Sequence, residues 1–163
     1  MNPGRSTTIR LPLAALLCAA LFLAGCSLVP RRGPEVPPAG HPADIVSQIA
    51  QSMVGVPYRY GGASPQGFDC SGLVYYAHVK AGVPVPRTAA DQRRQSKRVP
   101  ERKLRPGDLL FFDTSWRAGH VGIYVGNGEF VHAPSSGKRV TRESLEEGYF
   151  ARRLKEAGRL TGP

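Results

Sequence analysis

The run Gly67-Phe68-Asp69-Cys70-Ser71-Gly72-Leu73-Val74 decides how this chain is read. Asp69, Ser71 and Gly72 make a polar entry, and Leu73-Val74-Tyr75-Tyr76-Ala77 continues as an apolar segment. That order predicts a helix from about Cys70 to Ala81, closed by Gly82. Cys70 then stands in the first turn, where N–H groups without helical partners and the positive end of the dipole favour a thiolate. A second run, Gly119-His120-Val121-Gly122-Ile123-Tyr124, places an imidazole far away in sequence but in a similar glycine-flanked, apolar setting. A thiol and an imidazole so placed are what a nucleophile and its base look like before folding joins them. The plain alternative makes Cys70 a small buried hydrophobe and His120 an ordinary strand-end histidine.

Working outward, Ile45, Ile49 and Met53, with Val46 alongside, recur at helical spacing. Asp44 is the expected N-cap of that helix, and Gly55 with Pro57 ends it. Thr88 to about Ser96 reads as a short polar helix. Strands are expected at Leu109 to Asp113, His120 to Val125 and Glu129 to Ala133, with a further short one near Lys138 to Val140. A closing segment then runs from Leu145 to Ala157. Helices followed by antiparallel strands give an α+β class. The turn Gly126-Asn127-Gly128 carries a condition. As a strict two-residue turn, Asn127-Gly128 would pair position 123 with 132, leaving His120 and His132 on opposite faces. A shared role for the two histidines therefore requires a bulge, with Gly126 or Gly128 at positive φ.

Five motifs in register give the chain a family likeness. Pro57-Tyr58-Arg59-Tyr60-Gly61-Gly62, Phe68-Asp69-Cys70-Ser71-Gly72, Leu104-Arg105-Pro106-Gly107-Asp108-Leu109, Gly119 to Tyr124, and Phe130-Val131-His132-Ala133 occur in that order. Together, over roughly residues 44 to 156, they resemble the NlpC/P60 family of papain-like cysteine peptidases that cut peptidoglycan stem peptides. The resemblance implies a papain-like core in which the Cys-bearing helix packs on the sheet carrying His120. It implies Cys70 as nucleophile, His120 as general base and then acid, and His132 as the polar third member that orients His120. Tyr58 aligns with a tyrosine whose hydroxyl helps stabilise the oxyanion beside the Cys70 N–H, with Tyr60 as its rival. Asp69 and Ser71 align with residues that contact substrate amino groups in some relatives, although Asp69 could equally serve only as the helix cap.

The N-terminal residues read as an address. Arg5 and Arg10 precede the apolar stretch Leu11 to Ala24, which is shorter than a membrane span requires and suits a secretory signal. Leu23-Ala24-Gly25-Cys26 resembles a lipoprotein lipobox, so residues 1–25 are expected to leave and Cys26 to be lipidated. Three acyl chains make a stable anchor. Ser27 after the cysteine resembles the sorting choice for the periplasmic face of the outer membrane. Pro30, Pro34, Pro37, Pro38 and Pro42 mark residues 26–43 as a semi-extended tether. The catalytic domain is then expected over 44–158. Cys18 leaves with the signal and Cys26 is acylated, so Cys70 alone remains as a thiol in an oxidising compartment.

Composition excludes other classes. The 138 residues after position 25 suffice for one domain and are too few for two. The signal holds two of the 22 basic residues and no acidic ones, so the mature charge is +8. The basic residues are scattered through 87–105 and 139–159 without interleaved stacking aromatics, which argues against nucleic acid and for anionic envelope partners. No HExxH or Cys/His ligand spacing occurs, so neither metal nor cofactor is expected. His41 reads as linker, His78 as a helix-face residue and Trp116 as packing. The expected protein is a monomeric cell-wall endopeptidase acting on stem peptides. The competing readings are an inactive binding module of the same fold and a Cys-His amidase or acyltransferase on another amide. Either the D-Glu–diaminopimelate bond within a stem or the D-Ala–diaminopimelate cross-link between stems could be cut.

Overall fold

A computed structural model describes residues 40–114, 119–135 and 137–160. The signal-like stretch, Cys26, most of the Pro-rich tether and Trp116 lie outside those residues. The first helix among the described residues, α1, spans Pro42–Ser52 and starts earlier than the Asp44 cap predicts. Its N-cap is His41 rather than Asp44, with Nδ1 of His41 accepting from the Ala43 N–H at 3.4 Å. Pro42 explains the shift, because its fixed φ suits the first helical position and needs no N–H partner. Asp44 instead sits in the first turn, where its charge meets the helix dipole. A two-stranded ribbon, β1 (Ala63–Ser64) and β2 (Gly67–Phe68), leads into α2, Cys70–Lys80. Helix α3 spans Ala89–Gln95, and the Thr88 hydroxyl caps it by accepting from the Asp91 N–H.

Among the described residues, six antiparallel strands form the sheet: β3 (Lys97–Val99), β4 (Leu109–Phe112), β5 (His120–Gly126), β6 (Glu129–His132), β7 (Thr141–Ser144) and β8 (Leu154–Arg159). A one-turn helix, α4 (Gly148–Ala151), precedes β8. The spatial order is β3-β8-β4-β5-β6-β7, so the chain is α+β. The closing segment is thus a strand inserted beside β4, and the strand expected near Lys138 begins at Thr141. Arg139 makes only an isolated bridge to Pro57.

Two cores follow from the period-two pleat. Phe111, Leu109, Val121, Ile123 and Val131 pack with Val46 and Ala50 of α1 and Phe68, Leu73, Val74 and Ala77 of the α2 region. On the alternate positions, Leu110, Phe112 and Phe130 gather with Val99, Phe150 and Ala157. Buried Asp108, just before β4, ties that strand to the end of its neighbour β8, accepting from Arg159 Nε and Nη2 at 2.6 and 2.7 Å and from the Arg105 N–H at 2.8 Å. Among the described residues, no helix is long and apolar enough to cross a membrane.

Candidate active site

Cys70 is the first residue of α2, and the Asp69 carboxylate caps that helix, Oδ1 accepting from the Gly72 N–H at 2.6 Å. Gly72 is required here for room. A Cβ at that position would lie 1.9 Å from the carbonyl oxygen of Gly62, so the 59–62 turn rests directly on the helix start. Asp69 does more than cap. Its oxygens also accept from the Gly61 N–H at 3.0 Å, the Ser71 hydroxyl at 3.2 Å and both Arg87 Nη atoms at 3.0 and 2.7 Å. Arg87 reaches the Ser71 Oγ and the Gly62 carbonyl as well. From the helix behind it, buried Gln92 donates through Nε2 to the carbonyls of Ser71 at 3.0 Å and Pro86 at 2.8 Å. The thiol-bearing turn is therefore held from three sides.

Burial raises the Cys70 thiol above its ordinary pKa, although the backbone N–H groups of Val121, Ser71 and Cys70 pull the other way, and the Asp69 charge adds to the rise. The amides at the helix start favour the anion as expected, but desolvation outweighs them, and the thiol needs a base. The Val121 N–H beside the sulfur places Cys70 next to the start of β5, one residue from His120.

The two histidines meet. Nε2 of His120 and Nδ1 of His132 are 2.7 Å apart, with the rings edge-on at 81°. The β5–β6 hairpin makes this possible. Ile123 pairs with Val131, and the register shifts between Tyr124 and Gly126, with Gly126, Asn127 and Gly128 all at positive φ. That bulge is the one the parity of the histidines requires. Phe112, Phe130 and Phe150 surround the pair, Phe150 stacking on His120 with centroids 5.5 Å apart. Burial pushes His120 down to about 4, and burial with the charges of His120 and Lys138 pushes His132 down to about 3. Both rings are neutral at neutral pH, so His120 can accept a proton.

The front of the site is a cavity of about 720 Å³ lined by Tyr58, Tyr60, Asp69, Cys70, Ser71 and Arg87, among others. Tyr58 is partly buried against the core, and its pKa is raised by burial and then by Cys70, Asp69 and Tyr60. Tyr60 is 89% exposed. Arg87, Gln92 and Phe150 are the contributors that sequence reading passed over. No local pattern marks them, because each acts through contacts across the fold. His78, read as a face residue, is buried, with Nδ1 2.8 Å from the Val74 carbonyl and a pKa of about 4. Among the described residues, no group of three or more His, Cys, Asp or Glu could hold a metal ion.

Three buried histidines make acid an expected denaturant. Each is held neutral in the fold while the unfolded chain takes up a proton near 6.5. Their contribution is complete above pH 6.5 and is lost as pH falls from there toward 4 and 3. His78 alone contributes on the order of 3 kcal/mol. The melting temperature should be level between pH 8 and 7 and then fall steadily to pH 4; a level profile down to pH 4 refutes the assignment.

Residues 55–159 match the NlpC/P60 family. The chain is 45% identical over 117 residues to the murein DD-endopeptidase MepH of Escherichia coli, covering 68% of this chain and 43% of that protein. It is 40% identical over 121 residues to the bifunctional muramidase/DL-endopeptidase CwlT of Bacillus subtilis, covering 72% and 36%. It thus spans less than half the length of either. The probable endopeptidase NlpC of Escherichia coli is 39% identical over 154 residues, 89% of this chain and 97% of that one. Among solved structures, an NlpC/P60 family protein from Bacillus cereus superposes with a TM-score of 0.66 at 30% identity, covering 72% of this chain and 40% of that one. The NlpC/P60 domain of the peptidoglycan hydrolase SagA gives 0.63 at 30% identity, covering 72% and 97%.

Proposed function

Because this chain belongs to the NlpC/P60 family, we propose that it is a cysteine endopeptidase of peptidoglycan stem peptides. The observation that carries the reading is the 2.7 Å His120–His132 contact standing beside a helix-capped Cys70 that opens into a cavity. In this reading Cys70 Sγ attacks the carbonyl carbon of the scissile amide while His120 takes the thiol proton. His120 returns that proton to the leaving amine, and a water then releases the acyl group from sulfur. His132 orients His120. The Cys70 N–H and the Tyr58 hydroxyl hold the developing oxyanion. Asp69, Ser71 and Arg87 form the polar wall against which the stem lies.

The bond we assign is the D-Ala–diaminopimelate cross-link, which joins two D centres; the DD-endopeptidase named above supports it. Cross-linked sacculi digested with the protein and analysed by mass spectrometry provide the test. Dimeric muropeptides should disappear while stem length is unchanged. Shortened stems would move the cut to the D-Glu–diaminopimelate bond, and an unchanged profile would overturn the function.

We also infer that Cys26 is lipidated and holds the domain at the periplasmic face of the outer membrane, a reading supported by Leu23-Ala24-Gly25-Cys26 and the proline spacing after it. The mass of the cell-extracted N-terminal peptide should carry three acyl chains on Cys26, and Cys26→Ala should abolish them. An unmodified Cys26 in the mature chain refutes the anchor.

A further inference from the structure

We propose that Glu143 is a positioning residue for the same site, holding His132 in its Nε2–H tautomer so that Nδ1 faces His120 as an acceptor. The inference rests on the functional reading above, and it begins from a pair of rings that can be wired in two ways. A neutral imidazole has one N–H and one lone pair, and the 2.7 Å contact needs one of each. In the first wiring, His132 carries its proton on Nε2. Its Nδ1 then accepts from Nε2–H of His120, which leaves a lone pair on Nδ1 of His120 to take the Cys70 proton. In the second, His132 Nδ1–H donates to His120, whose own proton must move to Nδ1, and the base is lost. Only the first wiring works as a catalyst.

Something must choose between them. His132 is fully buried, and among the described residues its Nε2 has no hydrogen-bond partner. A donor left in that state is costly, so the fold would favour the second wiring unless an acceptor stood nearby. The acceptor present is the Glu143 carboxylate, with Oε1 3.9 Å from Nε2. That separation is longer than a hydrogen bond, but a side-chain rotation or one bridging water closes it. The backbone puts Glu143 there deliberately. On β7 it pairs with Phe130, and His132 pairs with Thr141, so by the pleat all four side chains share one face. Glu143 also lines a cavity of about 770 Å³ with Lys138, Thr141, Tyr149 and Phe150, which gives its side chain room to move. A carboxylate is acceptor-only when ionised and therefore selects N–H at Nε2.

Long-range proton–nitrogen spectra of the full chain with labelled histidines read this directly. The wild type should show His132 protonated at Nε2 and bare at Nδ1. In Glu143→Ala the two nitrogens should shift toward each other, and kcat on purified cross-linked muropeptide dimers should fall on the order of 10-fold at unchanged KM. Glu143→Gln, which keeps an acceptor oxygen, should restore part of both. Unmoved His132 nitrogens in a folded Glu143→Ala protein overturn the inference, whatever the activity. If the wild type shows the tautomer and its loss in Glu143→Ala but cleaves no muropeptide, the functional reading fails and the role of Glu143 in the ring wiring stands.

Discussion

Cys70→Ala and His120→Ala should each reduce hydrolysis of cross-linked sacculi to background, a loss on the order of 10⁴-fold or more, and the double variant should lose no more. The reason lies in the protonation states. Burial raises the thiol of Cys70 and lowers the imidazole of His120, so each holds its neutral form in the resting site. Little thiolate exists until His120 takes the proton, and removal of the ring removes the nucleophile in practice. Were the helix dipole enough to ionise Cys70, His120→Ala would keep a sizeable fraction of acylation. Both variants should remain folded. Cys70 is a small side chain at the cavity wall, and the Phe112 and Phe150 rings beside His120 already pack edge to face on each other at 5.0 Å, so that contact outlasts the loss of the imidazole. Circular dichroism and melting temperature monitor this. A folded His120→Ala protein within tenfold of wild type would mean that another group is the base.

Much of this site could be read along the chain, and what could not has a physical explanation. The Asp69-Cys70-Ser71-Gly72 entry gives a helix start because capping is local: a carboxylate, a free N–H three residues on and a glycine are all within one turn. The bulge at Gly126 to Gly128 was legible for a different reason. Side-chain parity is a property of counting residues, so two histidines meant for one face dictate an irregular turn whatever its local preference. Strand β8 was not legible. Leu154-Lys155-Glu156-Ala157-Gly158-Arg159 has too few apolar residues to alternate, and it becomes a strand because β4 and β3 supply partners on either side. Arg87 and Glu143 escaped for the same cause. Each is a charged residue in a polar stretch, and only the folded chain shows that one meets Asp69 across 18 residues and the other approaches His132 from a neighbouring strand. Phe150 closes the histidine pair from α4, a helix too short to announce itself by periodicity.

The His132 series should separate orientation from proton transfer. His132→Ala should lower turnover by about 10² to 10⁴-fold, because His120 loses the acceptor for its Nε2–H and with it both tautomer and ring position. The loss is smaller than for His120→Ala, since the proton-accepting lone pair of His120 is still present some of the time. His132→Asn and His132→Gln place an amide oxygen near the space of Nδ1 and should recover part of the loss, the better one being whichever sets its oxygen about 2.7 Å from His120 Nε2. Stability should move differently. His132→Ala empties space against Phe130 and Phe150 and strands a donor in an aromatic enclosure, so it should melt earlier than wild type. It should also lose some of the acid sensitivity, because a ring held neutral to about pH 3 has gone. Turnover and acid stability thus report separately on one side chain. A folded His132→Ala protein with wild-type turnover on cross-linked sacculi would reduce the catalytic unit to Cys70 and His120 and leave His132 as part of the strand's packing.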